Sequence, residues 1–197
     1  MLAYISWHRP GRDVEQAAYE QALARLHRSL ELRPPIGYRG SAAFRAAELS
    51  WLEPAANVLA GPGYEDWYLL DSWAALGVLE EAAVAHGHVT RHDAVARLSG
   101  QAAGAVYRLS EGCAALAEAR VSVWIARAPS EPRVTFGDLL GDGMDGERSG
   151  LWRRCLGLGP APEYCLLAPE APAGVAPARL PAGWRAAVGT REVIFGG

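Results

Sequence analysis

His8, Asp66 and Arg39 are the side chains of this sequence best suited to moving a proton. An imidazole changes charge near neutral pH, and a carboxylate beside it fixes its orientation. A guanidinium stabilises the enolate, carboxylate or oxyanion that proton transfer creates. Strand alternation brings partners to them. Along the first apolar run Tyr4, Ser6 and His8 share one face, while Ala3, Ile5 and Trp7 share the other. Asp66 and Tyr68 oppose Trp67 and Leu69, and Arg39, Ser41 and Arg45 oppose Tyr38 and Phe44. With the polar faces turned toward a space between two sheets, Tyr4, Ser6, His8, Arg39, Asp66 and Tyr68 line one cavity, and Ala3, Ile5 and Trp7 pack on the helix side. His8, Asp66 and Arg39 are then the candidate catalytic residues. Tyr4, Ser6, Tyr68 and Arg45 are the candidate ligand-binding residues, the tyrosines orienting an aromatic or oxygenated molecule. The same residues also suit solvated strand ends and structural ion pairs.

Other chemistry is thinner. His86-Gly87-His88-Val89-Thr90-Arg91-His92-Asp93 offers imidazole and carboxylate ligand types, but its spacing matches no zinc signature. It reads as a polar linker in which His92 or Asp93 caps the next helix. His27, between Leu26 and Arg28, reads as a half-exposed structural residue of the first helix. Cys113, Cys155 and Cys165 contain no Cys-x-x-Cys pair and read as reduced thiols. Glycine-rich nucleotide loops, a Gly-x-Ser-x-Gly elbow and a His-Glu-x-x-His helix are missing, and a chain without Lys cannot form a lysine Schiff base. Gly141 to Glu147 superficially resembles a calcium loop but lacks the ligand order of an EF-hand, and reads as a turn. No metal and no cofactor is expected.

The composition is that of an ordinary globular chain: 197 residues, 50% of them hydrophobic. A net charge of -3 without runs of like charge argues against a nucleic-acid surface or a polybasic membrane patch. No apolar stretch approaches the roughly 20 residues of a membrane span, and the N-terminus lacks the parts of a signal peptide, so a cytoplasmic protein is expected. Trp51, Tyr64, Trp67, Trp73, Trp152 and Trp184 fall near strand ends or loops, where they fit either a pocket wall or a subunit contact of a homo-oligomer. Trp7, Trp67 and Trp124 fit packing.

The elements that must position these residues follow from periodicity and punctuation. Leu2 to Trp7 is a strand that Pro10-Gly11 ends. Asp13 caps a helix carrying Val14, Ala17, Ala18, Leu23, Leu26 and Leu30, which Arg33-Pro34-Pro35 stops. Strands follow over 37–47 and 64–71, a helix over 72–85, a short helix over 92–98 and a strand over 105–109. The pattern restarts with a strand over 121–126, a short helix near Phe136 to Leu140, strands over 151–158 and 164–167, and a last strand near Val188 to Phe195. A proline-rich stretch from Pro169 to Pro181 stands where a second helix would be. Tyr4 to Pro10 is faintly echoed by Val123 to Pro129, and Asp66-Trp67-Tyr68-Leu69-Leu70 by Glu163-Tyr164-Cys165-Leu166-Leu167.

In this order each half resembles a ferredoxin-like βαββαβ unit, and the pair resembles the dimeric α+β barrel superfamily in tandem, single-chain form. The resemblance implies an α+β fold of two ferredoxin-like halves, 1–112 and 113–197, with antiparallel sheets packed face to face, the second half shortened, and a cleft between them. Members of that superfamily include haem-degrading and cofactor-independent monooxygenases, chlorite dismutase-like haem proteins, and small decarboxylases and cyclases, so the fold names no reaction. In the chlorite dismutase-like proteins the axial histidine comes from the second half. Here His8, His27, His86, His88 and His92 all lie in the first, which counts against a similar haem site. Two functions stay open: a cofactor-independent enzyme or binder acting on a small organic molecule, and a noncatalytic oligomeric ligand-binding or assembly protein. A closed polar pocket around His8 marks the first, and an apolar interior with exposed aromatics at a subunit contact marks the second.

Overall fold

A computed structural model describes residues 1–47, 49, 62–126, 146–158, 161–172 and 183–196. In chain order the elements are β1 (Leu2–Pro10), α1 (Gln16–Leu32), β2 (Tyr38–Ala46), β3 (Gly63–Leu70), α2 (Trp73–Val84), α3 (Val89–Leu98), β4 (Ser99–Gly112), β5 (Val121–Ala126), β6 (Gly150–Leu158), β7 (Tyr164–Ala168) and β8 (Arg185–Gly196). The eight strands form one closed barrel, in the order β1-β3-β2-β8-β5-β7-β6-β4. Every neighbouring pair is antiparallel. Closure satisfies every strand edge without a helix to cover it.

Alternation sets the two faces of each strand. Ala3, Ile5 and Trp7 of β1 point into the barrel with Phe44, Trp67, Tyr107, Trp124 and Trp152 from five other strands. Those rings fill the interior edge to face, Trp7 against Trp124 at 5.1 Å and 73°, Trp67 against Trp152 at 5.5 Å and 70°. Among the described residues the barrel interior is therefore a packed core, with no cleft of the kind expected there. The expected helix-packed side of β1 is also reversed: its apolar face turns inward to meet Phe44, Tyr107, Trp124 and Trp152.

Inside this aromatic core lies a charge pair. Arg191 Nε stands 3.3 Å from Glu65 Oε2, both side chains fully buried, and the guanidinium lies 3.4 Å over the Phe44 ring. Trp67 and Trp124 each donate an indole N–H to Glu65 at 3.2 Å. Burying two charges is tolerable only with such partners.

The three described helices cover the outer face of β1 to β4, and α1 also reaches β8. α1 buries Tyr19, Leu23, Leu26, His27 and Leu30, a stripe at helical spacing. Its end is set by Pro34 and Pro35, which cannot continue the helix. α2 is capped by Ser72, whose Oγ accepts the Ala75 N–H at 3.2 Å. Leu30, Ala75 and Leu79 then pack on Leu2, Tyr68, Leu70 and Val106. Gly37, with φ of 81°, permits this approach, since a Cβ there would stand 2.6 Å from that of Ala75. Gly150 is more constrained: a Cβ would lie 2.1 Å from the Cys113 carbonyl oxygen.

Some expected boundaries move. The expected 105–109 strand extends to β4, and the short helix begins at Val89. Trp51, the helix near Phe136 to Leu140 and most of the Gly141 to Glu147 turn lie outside the described residues. Cys113, Cys155 and Cys165 are free thiols. No helix among the described residues is long and apolar enough to cross a membrane. The first echo keeps its facing, Ile5 and Trp124 both pointing inward. The second does not: Trp67 points inward and Tyr164 outward.

Candidate functional site

Because β1 turns its apolar face inward, Tyr4, Ser6 and His8 face the helices. The β1–β3 register sets Ser6 opposite Asp66 and Tyr4 opposite Tyr68. α1 lies over them and brings Tyr19 and His27, two turns apart on one face. Asp66, 3% exposed, becomes the centre of a buried polar chain. His8 Nε2 is 3.1 Å from its Oδ2 and His27 Nε2 is 3.5 Å from its Oδ1. Both are charge-pair contacts rather than aligned hydrogen bonds. The Tyr68 hydroxyl donates to Oδ2 at 3.3 Å.

Each imidazole is held from behind by a hydroxyl. His8 Nδ1 is 2.8 Å from the Tyr19 hydroxyl, which is 2.8 Å from Ser99 Oγ. Ser99 in turn donates to the Val95 carbonyl at 2.9 Å. On the other arm His27 Nδ1 is 2.6 Å from Ser41 Oγ, which accepts from the Tyr38 hydroxyl at 2.6 Å. Giving the Ser41 hydrogen an acceptor fixes the direction of the His27 arm. Ser41 donates to His27 Nδ1, leaving the His27 proton on Nε2 beside Asp66. On the His8 arm the Tyr19 hydroxyl either donates to His8 Nδ1, or donates to Ser99 Oγ and accepts from His8 Nδ1–H.

Burial alone would raise the Asp66 pKa, but the charges and hydrogen-bonding capacity of His8 and His27 outweigh it and hold the carboxyl well below its ordinary 3.8. Burial raises the phenols of Tyr19 and Tyr68, with Asp66 adding to both. These tyrosines stay protonated and act as hydrogen-bond relays. The arrangement joins a carboxylate, an imidazole and two hydroxyls in series, which is a path for moving one proton without a free phenolate.

That path opens on a cavity of about 450 Å³ between the sheet and the helices. Its floor is polar, from Tyr4, Ser6, His8, Asp66, Tyr68 and Ser99. Its walls are apolar, from Leu26 and Leu30 of α1, Leu76, Leu79 and Val84 of α2, and Val95 of α3. A small organic molecule with an apolar body and a polar group fits such a site.

Five residues of the sequence-derived set thus come together here: Tyr4, Ser6, His8, Asp66 and Tyr68. Arg39 does not. Its side chain is 60% exposed and donates to Asp71 at 2.6 Å, because a register shift between Tyr38 and Gly40 takes it off the alternation of β2. Arg45 points to Glu20, at 2.7 Å, and to Glu192. The guanidinium clamp expected on an oxyanion is absent from the described cavity lining. The chain around His88 is a structural tie: its Nδ1 meets Ser29 Oγ at 2.9 Å and its Nε2 donates to the Arg33 carbonyl at 3.0 Å. Among the described residues no three His, Cys, Asp or Glu converge on a point able to hold a metal ion. At Asp66 the two imidazoles sit on different oxygens.

Sequence reasoning missed Tyr19, His27, Ser41 and Ser99. One signal was available for two of them: Tyr19 and His27 fall on the stripe of Leu23, Leu26 and Leu30. No protein-family model matches the chain, and no curated protein is similar to it. Two crystal structures share its course over 98% of its length. One is an anthrone oxidase-like protein, with a TM-score of 0.49, 7% identity and 93% of that chain covered. The other is a chlorite dismutase-like protein, with a TM-score of 0.49, 14% identity and 95% of that chain covered. Likeness that distant assigns no function to this chain.

Proposed function

We propose that the chain binds a small organic molecule in the cavity beneath α1, α2 and α3 and transfers a proton to or from it, with His8 as the acid or base and Tyr19 and Ser99 as the relay. The observation that carries this reading is the placement of the His8–Asp66 pair in the floor of a pocket of ligand size. When the ligand takes a proton, Ser99 turns its hydroxyl hydrogen from the Val95 carbonyl to the ligand, Tyr19 refills Ser99, and a doubly protonated His8 refills Tyr19 from Nδ1, ending as a neutral ring with Nε2–H toward Asp66. Asp66 holds the imidazole in place and stabilises its charge while the proton is present. No cofactor is needed for that step.

The two strand sets, β4-β1-β3-β2 and β8-β5-β7-β6, repeat one order. This supports reading the barrel as two ferredoxin-like copies, 1–112 and 113–197, the first of which carries the described helices and the candidate site. A second reading, assembly into a homo-oligomer, is favoured by Leu156 and Leu158 of β6, 43% and 59% exposed.

Deuterium exchange tests the catalytic reading. Pocket-sized cyclic ketones incubated with the protein in heavy water should gain deuterium next to the carbonyl, and His8→Gln should slow the gain by about 10²- to 10⁴-fold. Absence of exchange with every ketone, together with sedimentation as an oligomer that Leu156→Glu dissociates, would replace the enzyme reading with the assembly one.

A further inference from the structure

The charges around this cavity go further than its shape. Its described lining contains the carboxylates of Asp66 and Glu80, the imidazoles of His8 and His92, and no Arg. The chain has no Lys to contribute. Asp66 shares its charge with His8 and His27, so this trio carries at most one net positive charge, and only when both rings are protonated. Glu80 cancels even that. His92 is paired with the Asp93 carboxylate 3.4 Å away. While Asp66 and Glu80 are ionised the described lining is at most neutral, and an entering anion would leave water with no unpaired cation to meet it.

We infer that the cavity takes an organic amine, with its cationic nitrogen toward Glu80 and the tyrosine pair and its hydrocarbon body against the helix walls. The inference rests on the proposed ligand site and adds the class of molecule that fills it. Glu80 is an exposed residue of α2 at the cavity mouth. Burial, then Glu80, then Asp66 all push the Tyr4 phenol up, which reports a negative field on this side of the cavity. The Tyr4 and Tyr68 rings stack at 5.9 Å and 21°, and Tyr68 stacks on His27 at 5.0 Å and 8°, so what the pair offers an ammonium is its hydroxyl oxygens rather than its ring faces. Leu30, Leu76, Leu79 and Val84 supply the apolar surface for the rest of the molecule.

The test is calorimetric titration at about neutral pH with three probes that share one hydrocarbon body: cyclohexylmethylamine, cyclohexylmethanol and cyclohexanecarboxylate. The amine should bind most tightly, the alcohol more weakly, and the carboxylate not measurably. Glu80→Gln should weaken the amine about two- to fivefold, as loss of a partly exposed ion pair does, and leave the alcohol unchanged. Ala83→Trp and, independently, Val84→Trp should block both probes in proteins that keep the wild-type circular dichroism. Equal binding of amine and alcohol, or tightest binding of the carboxylate, would overturn the amine assignment and leave the pocket reading standing. Failure of all three probes to bind, or binding that neither tryptophan variant blocks, would overturn the pocket reading and the amine assignment with it.

Discussion

Asp66→Asn separates charge from shape at the centre of the candidate site. The carboxylate is 3% exposed, with imidazole nitrogens at 3.1 and 3.5 Å and a phenol at 3.3 Å. Removing one partner of a buried charge arrangement costs about 3–5 kcal/mol. The asparagine keeps the volume, and its carbonyl keeps one imidazole contact, but its amide presents hydrogens to the other ring. That ring must change tautomer or lose its partner, and for His27 the change also turns Ser41 around. A loss of about 3 kcal/mol is expected, the lower end of the range. For a chain of this size it lowers Tm by about 6–12 °C, readable by tryptophan fluorescence during heating. The pH dependence has a definite sign. The folded pKa lies below the ordinary 3.8, so the unfolded chain takes up the proton first. The stabilisation is complete above the unfolded value and is lost as pH falls through the folded one. The gap between wild type and variant should therefore narrow below about pH 4. A Tm difference under about 2 °C at neutral pH, or a gap that acid leaves unchanged, would refute the assignment of Asp66 as a charged hub.

Three further outcomes can be measured. Arg191→Met should cost about 3–5 kcal/mol in urea unfolding by stranding Glu65 inside the barrel, and adding Glu65→Gln should recover most of it; no recovery would mean the pair does not act as a unit. Gly150→Ala should lose about 1–3 kcal/mol, since the new methyl meets the Cys113 carbonyl and the backbone must shift. Burial pushes Tyr38 and Tyr64 up to about 12. Their share of the stability is present below about pH 10 and is lost as pH rises toward the folded values, so absorbance at alkaline pH should show delayed tyrosine ionisation that unfolding abolishes.

The grouping of the site was legible in the sequence, and its orientation was not. Period-two alternation put Tyr4, Ser6 and His8 on one face and Asp66 beside Tyr68, and those faces do meet. Which face turns inward depends on what the other half of the chain contributes. Trp124 and Trp152 meet that face inside the barrel, and local periodicity carries no sign of contacts so distant in the chain. Arg39 was misplaced because it sits at the irregular step between Tyr38 and Gly40, where the register with β3 shifts and it has no partner there. His27 was read as half-exposed because a histidine beside leucines looks peripheral until its partner is known. That partner, Asp66, comes from a strand reached only through β2 and the connection after it.

Closure of the barrel also imposes an order on its making. β2 is completed by β8, with Ala46 opposite Arg191, and β4 by β6, with Val106 opposite Leu156. While the chain is being synthesised, β4 must wait with an unpaired row of backbone amides until β6 leaves the ribosome, and β2 until β8 does. Pairings so distant along the chain form slowly, and bare strand edges invite neighbouring nascent chains. The arrangement that leaves the finished molecule without an edge thus makes the unfinished one a natural client of holding chaperones, and slow, cool expression should favour the closed barrel over the aggregate.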